Sequence, residues 1–126
     1  MPFGQHLIVD LRKCRHRTVT DERLLRTFLK AVVKKIDMVS HGDPLMSYFP
    51  EDKPELIGWS IIQLIETSSI TCHCMEKSRD ASYIDIFSCK PFDPQAALGV
   101  IEDFFAPEEI QAHFVDRGKW DEGVES

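Results

Sequence analysis

Gly58-Trp59-Ser60-Ile61-Ile62-Gln63-Leu64-Ile65 runs straight into Glu66-Thr67-Ser68-Ser69-Ile70-Thr71-Cys72-His73-Cys74-Met75. Beyond the polar turn Glu76-Lys77-Ser78-Arg79-Asp80 comes Tyr83-Ile84-Asp85-Ile86-Phe87-Ser88, closed by Cys89. Branched and aromatic residues dominate, and the polar segments between them have turn composition, so Gly58–Ile65, Ile70–Met75 and Tyr83–Ser88 are read as three successive strands. Adjacent strands with short connections pair as antiparallel hairpins.

Working outward, His6-Leu7-Ile8-Val9-Asp10-Leu11 reads as an opening strand, Leu45–Phe49 as a short one and Ile110–Val115 as the last. Pro50 to Pro54 is a charged, proline-bounded loop. Between the first two strands lie Leu25, Phe28, Leu29, Val32, Val33 and Ile36, spaced as one face of a helix that Thr18 or Thr20 is expected to cap. Its Arg23, Arg26, Lys30, Lys34 and Lys35 form a solvated face. Asp93-Pro94 opens a second helix, with Asp as N-cap and Pro at the first helical position, and its core face is Ala97, Val100, Ile101, Phe104 and Phe105. Two helices with five or six strands predict an α+β two-layer sandwich, a largely antiparallel sheet with both helices on one face. A single domain over residues 1–126 is expected, ending in a loose polar tail from Arg117.

A formal charge of −6 and a pI near 5.3 argue against a nucleic-acid surface and suit a cationic substrate. There is no run of eighteen apolar residues and no signal-peptide pattern, so we expect no membrane partner and a cytoplasmic location. In that compartment Cys14, Cys72, Cys74 and Cys89 are expected as thiols. Cys72-His73-Cys74, with His6 or Cys89, has ligand types for zinc, but in a strand residues 72 and 74 face one way and 73 the other, so we assign no metal.

Ser60 stands eight residues before Ser68, and His73 five after it. A serine hydroxyl can attack the carbonyl of the residue before it when a strained turn holds the backbone, turning an amide into an ester. A base such as histidine can then remove the serine α-proton. Elimination and hydrolysis leave a pyruvoyl group on the new chain end.

This arrangement resembles the short prokaryotic S-adenosylmethionine decarboxylase proenzymes. Their bacterial members carry Gly-Val-Ser-Gly, then Glu-Ser-His-Ile-Ser-Ile-His, then Asp-Val-Phe-Thr-Cys-Gly. Gly58-Trp59-Ser60 falls on the first, Thr67-Ser68-Ser69-Ile70-Thr71-Cys72-His73 on the second, and Asp85-Ile86-Phe87-Ser88-Cys89 on the third. Gly4-Gln5-His6-Leu7-Ile8-Val9-Asp10 and Asp93-Pro94 also match. Among the departures from the pattern, Thr67 replaces Glu, Ser69 replaces His, Lys90 replaces Gly, and the hairpin turn before Cys89 is one residue longer.

The resemblance implies cleavage between Thr67 and Ser68, with Ser68 becoming a covalent pyruvoyl cofactor. That group joins the substrate amine as a Schiff base and serves as the electron sink for decarboxylation. His73 would drive the elimination, Ser60 would position it, and Cys89 would be the general acid that protonates the substrate carbon. Phe3 is the expected stacking residue for the substrate, ahead of Phe49, Trp59 and Phe87, and Glu66, with Asp10, a contact for its charge. The resemblance further implies a homodimer and a role in supplying the aminopropyl donor for spermidine. Two alternatives stay open on the residues alone: a pyruvoyl-dependent decarboxylase of ornithine or arginine, and a non-cleaving paralogue that acts as a binding or regulatory subunit.

Overall fold

The expected strands all form, and they join one sheet. In a computed structural model, which describes residues 3–120, they are β1 (Gly4–Arg12), β2 (Leu45–Phe49), β3 (Gly58–Ile65), β4 (Ser68–Met75), β5 (Ala81–Ser88) and β6 (Glu109–Arg117). Every pairing is antiparallel, in the order β2-β3-β4-β5-β1-β6, so the opening strand lies between β5 and β6. Glu66 and Thr67 alone connect β3 to β4, and residues 76–80 connect β4 to β5. β6 carries the chain in ordered form through Arg117, further than the polarity of that stretch suggests; the last six residues lie outside the described range.

Among the described residues there are three α-helices, not two: α1 (His16–Thr20), α2 (Glu22–Lys35) and α3 (Pro94–Phe105). The cap of α2 is Asp21, whose carboxylate accepts from the Arg23 and Leu24 amides; Thr18 and Thr20 belong to α1 instead. A carboxylate there satisfies two orphan amides and complements the helix dipole. The five expected core residues within α2 are buried, as is Ile36 at its C-cap. Asp93 caps α3 through Gln95, and Ala97, Ile101 and Phe105 are buried with Val100 and Phe104 packed against them. Phe28 of α2 meets Phe105 and Phe104 edge to face, at centroid distances of 4.9 and 5.7 Å.

The helices cover only one side of the sheet. Leu7, Val9, Leu11, Ile61, Ile70, Ile84 and Ile86 point into that core, each burial worth about 1.5–3 kcal/mol. The pleat sends the alternate residues to the opposite face, where no described element covers them. Leu45, Ile62 and Leu64 are 66%, 37% and 51% exposed there. The nearly continuous apolar run of β3 is therefore two apolar faces, one in the core and one open.

Candidate functional site

The β3–β4 register sets the first part of the site. Ser60 and His73 are directly opposed, and His73 Nδ1 shares a hydrogen bond of 2.9 Å with Ser60 Oγ. Both lie on the open face. His73 is exposed, and its Nε2 makes no hydrogen bond among the described residues. The pair is the local arrangement a general base needs, with one ring nitrogen oriented and the other free.

The second part lies at the β3–β4 turn. Ser68 opens β4 and pairs with Ser88 at the end of β5. The Thr67 carbonyl, the one a Ser68 hydroxyl would attack, accepts the Cys89 amide at 3.0 Å. The donor is thus already in place on the oxygen where charge would develop. Cys89 itself is exposed. Phe3 stands at the same end of the sheet, where its amide donates to the Arg117 carbonyl at 2.8 Å and its side chain is 64% exposed. Gly118 makes room for it: φ is +74°, and a Cβ there would come within 2.3 Å of Phe3 Cβ.

The structure thus brings Ser60 to His73, and Ser68 to the Cys89 end of β5 with Phe3 at the same end of the sheet, but does not join the two groups within one chain. His73 lies five residues along β4 from Ser68, roughly 16 Å at the rise of a strand. The two also fall on opposite sides of the pleat, Ser68 in the parity of Ile70 and Cys72. Glu66 is exposed on the turn and its amide binds the Val39 carbonyl at 2.9 Å.

Of the other aromatic candidates, Phe49 is exposed at the end of β2, and Trp59 and Phe87 are engaged elsewhere. Trp59 donates its indole N–H to the Thr20 carbonyl at 3.3 Å. Phe87 lies between the His6 ring and the Arg117 guanidinium, 5.3 Å from its centroid. His6 also pairs with Asp85 at 3.0 Å and with Arg117 at 3.2 Å. This relay crosses β5, β1 and β6, so no local motif announces it.

Of the four thiols, three are buried. Burial pushes Cys14 up to about 12. A hydrogen bond with Cys74, 3.8 Å away, and complete burial push Cys72 up as well. Both are thereby poor proton donors at neutral pH. Cys72 and Cys74 point into the core and His73 the other way, which separates the three as metal ligands. Cys89 is the cysteine within reach of a substrate.

The sequence model of the S-adenosylmethionine decarboxylase family matches residues 5–118. The chain belongs to the S-adenosylmethionine decarboxylase family. It is a family of carboxy-lyases, and residues 5–118 take in both groups of site residues except Phe3. Similar curated relatives include S-adenosylmethionine decarboxylase proenzymes from Clostridium botulinum and Archaeoglobus fulgidus. The first is 25% identical over 119 residues, covering 94% of this chain and 97% of that one. The second is 24% identical over 119 residues, covering 94% and 100%. Among solved structures, the adenosylmethionine decarboxylase from Aquifex aeolicus superposes with a TM-score of 0.79 at 19% identity, over 99% of this chain and 98% of that one. At that identity the likeness speaks for the fold.

Proposed function

We propose that the chain is a self-processing decarboxylase of S-adenosylmethionine that cleaves between Thr67 and Ser68 and works as a homodimer. The observation that carries the processing step is the Cys89 amide on the Thr67 carbonyl, one residue before the serine. Ser68 Oγ attacks that carbonyl carbon, and charge on the carbonyl oxygen falls to the Cys89 N–H. The C–N bond breaks and an ester forms. Removal of the Ser68 α-proton expels the residue 67 carboxylate, and hydrolysis of the resulting dehydroalanine releases ammonia and leaves the pyruvoyl end. That group supplies a carbonyl electron sink for the substrate's amine.

The base for the α-proton is supplied, in this reading, by a second copy. The Ser60–His73 pair faces outward on an open sheet whose Leu45, Ile62 and Leu64 are exposed. Exposed apolar surface of that kind marks an interface. Two such faces stacked about a two-fold axis carry the pair of each chain to the Ser68 end of the other. Phe3 and Glu66 border that end and are assigned to substrate contact. The net charge of −6 favours a sulfonium-bearing substrate. Free cysteines suit a reducing compartment, and we place the reaction in the cytoplasm. No helix among the described residues is long and apolar enough to cross a membrane. The product is the aminopropyl donor for spermidine.

Purified chain should release labelled CO2 from carboxyl-labelled S-adenosylmethionine and not from ornithine or arginine. Release from either amino acid alone would reassign the substrate. No release from any of the three by fully cleaved protein would remove the decarboxylase reading.

A further inference from the structure

Three consecutive residues of one strand end, Ser88, Cys89 and Lys90, close around Thr67. The Cys89 amide takes the Thr67 carbonyl at 3.0 Å. Ser88 Oγ lies 2.7 Å from Thr67 Oγ1 and accepts the Lys90 amide at 3.0 Å. Thr67 Oγ1 lies 3.3 Å from Met38 Sδ, which is also 3.7 Å from Ser88 Oγ. Lys90 N–H donates to Ser88, and the two hydroxyls and the Met38 sulfur are satisfied in either direction: Ser88 O–H to Thr67 with Thr67 O–H to the sulfur, or Thr67 O–H to Ser88 with Ser88 O–H to the sulfur. Ser88 is fully buried and Met38 nearly so. The frame is fastened outside by Lys90 Nζ, which binds the Asp37 carbonyl at 2.6 Å and its carboxylate at 3.1 Å.

From this geometry we infer that Thr67 and Ser88 are positioning residues for self-cleavage: their hydroxyl pair fixes the carbonyl that Ser68 attacks. The inference rests on the reading of Thr67–Ser68 as the cleaved bond. Thr67 stands at the acyl side of that bond, and a β-branched side chain has few χ1 choices. Anchoring its hydroxyl on the core side therefore sets the backbone as well. With the carbonyl oxygen held by one donor and the side chain by another, the peptide plane cannot swing the carbonyl away from Ser68 Oγ. Pre-orientation of this sort is what makes an intramolecular attack fast. It also gives Thr67 and Lys90 a purpose where the family pattern has Glu and Gly. The side chain at 67 faces Ser88 and Met38, and the lysine ties the strand end to the α2 terminus.

The test is the half-time of cleavage, read by denaturing mass spectrometry on full-length chain that has just been synthesised, for wild type, Thr67→Val, Thr67→Ser and Ser88→Ala. Valine keeps the shape and loses the hydroxyl, and should cleave about tenfold more slowly, the equivalent of ~1.4 kcal/mol on the barrier. Serine keeps the hydroxyl and should stay within about twofold of wild type. Ser88→Ala should be slowed like valine, and the double variant Thr67→Val/Ser88→Ala no further, because the two changes remove one interaction. A purely packing role would instead give additive losses and no rescue by serine. Thr67→Val cleaving at the wild-type rate overturns the inference while leaving the cleavage site intact; should valine fail to fold, Ser88→Ala at the wild-type rate does the same. A wild-type chain that never cleaves overturns the parent reading and this inference with it.

Discussion

A His73→Ala chain is expected to stop at the ester: full-length by mass until hydroxylamine splits it between residues 67 and 68. Loss of a general base costs on the order of 10²–10⁴-fold. Within one chain His73 lies five residues along β4 from Ser68, and we propose that a second chain supplies the base. Coexpression with Ser68→Ala tests this. In the mixed dimer, Ser68 of the His73→Ala chain meets His73 of the partner subunit, so the His73→Ala chain should cleave and the Ser68→Ala chain should not. Full-length chains of both kinds, in a sample shown to contain mixed dimers, would place the base within one chain. Normal cleavage of His73→Ala alone would take the histidine out of processing.

Cys89→Ala is expected to separate maturation from turnover. The donor to the Thr67 carbonyl is the backbone amide of residue 89, which alanine retains. Cleavage should therefore proceed at close to the wild-type rate. The thiol is a different matter: it is exposed beside Ser68, while Cys14 and Cys72 are buried with their thiols pushed up. We propose that this thiol protonates the substrate carbon, so its removal should lower CO2 release by about 10²–10⁴-fold per cleaved chain. Wild-type turnover in the cleaved variant would remove Cys89 from the mechanism. An uncleaved Cys89→Ala chain would show that the thiol, and not only the amide, takes part in maturation.

The helices were legible because a period of 3.6 is printed in the residues themselves. Leu25, Phe28, Leu29, Val32, Val33 and Ile36 are all buried. Asp93-Pro94 told its cap and first turn with no tertiary help. α1 was not legible, since five residues carry little periodicity. Contacts hold it in place, with the Arg15 amide on the Phe105 carbonyl at 2.7 Å and Thr18 Oγ1 on the Phe104 carbonyl at 2.6 Å.

The site was half legible. Its residue types and spacing are visible in the sequence, but their grouping depends on register and pleat parity. A two-residue turn at Glu66-Thr67 puts Ser60 opposite His73 and, by the same alternation, turns His73 away from Ser68. The Cys89 amide has no side-chain signature at all, and Ser88 looks like any strand serine until its hydroxyl is seen against Thr67.

The chain is expected to cut itself at one bond. Purified wild-type protein, denatured and weighed intact, should give two species: residues 1–67 with a free carboxyl end, and residues 68–126 beginning with a pyruvoyl group and lacking a free amine. A single species at the full 14.5 kDa after prolonged incubation, with Ser68 unaltered, would contradict the account and favour a non-catalytic binding subunit.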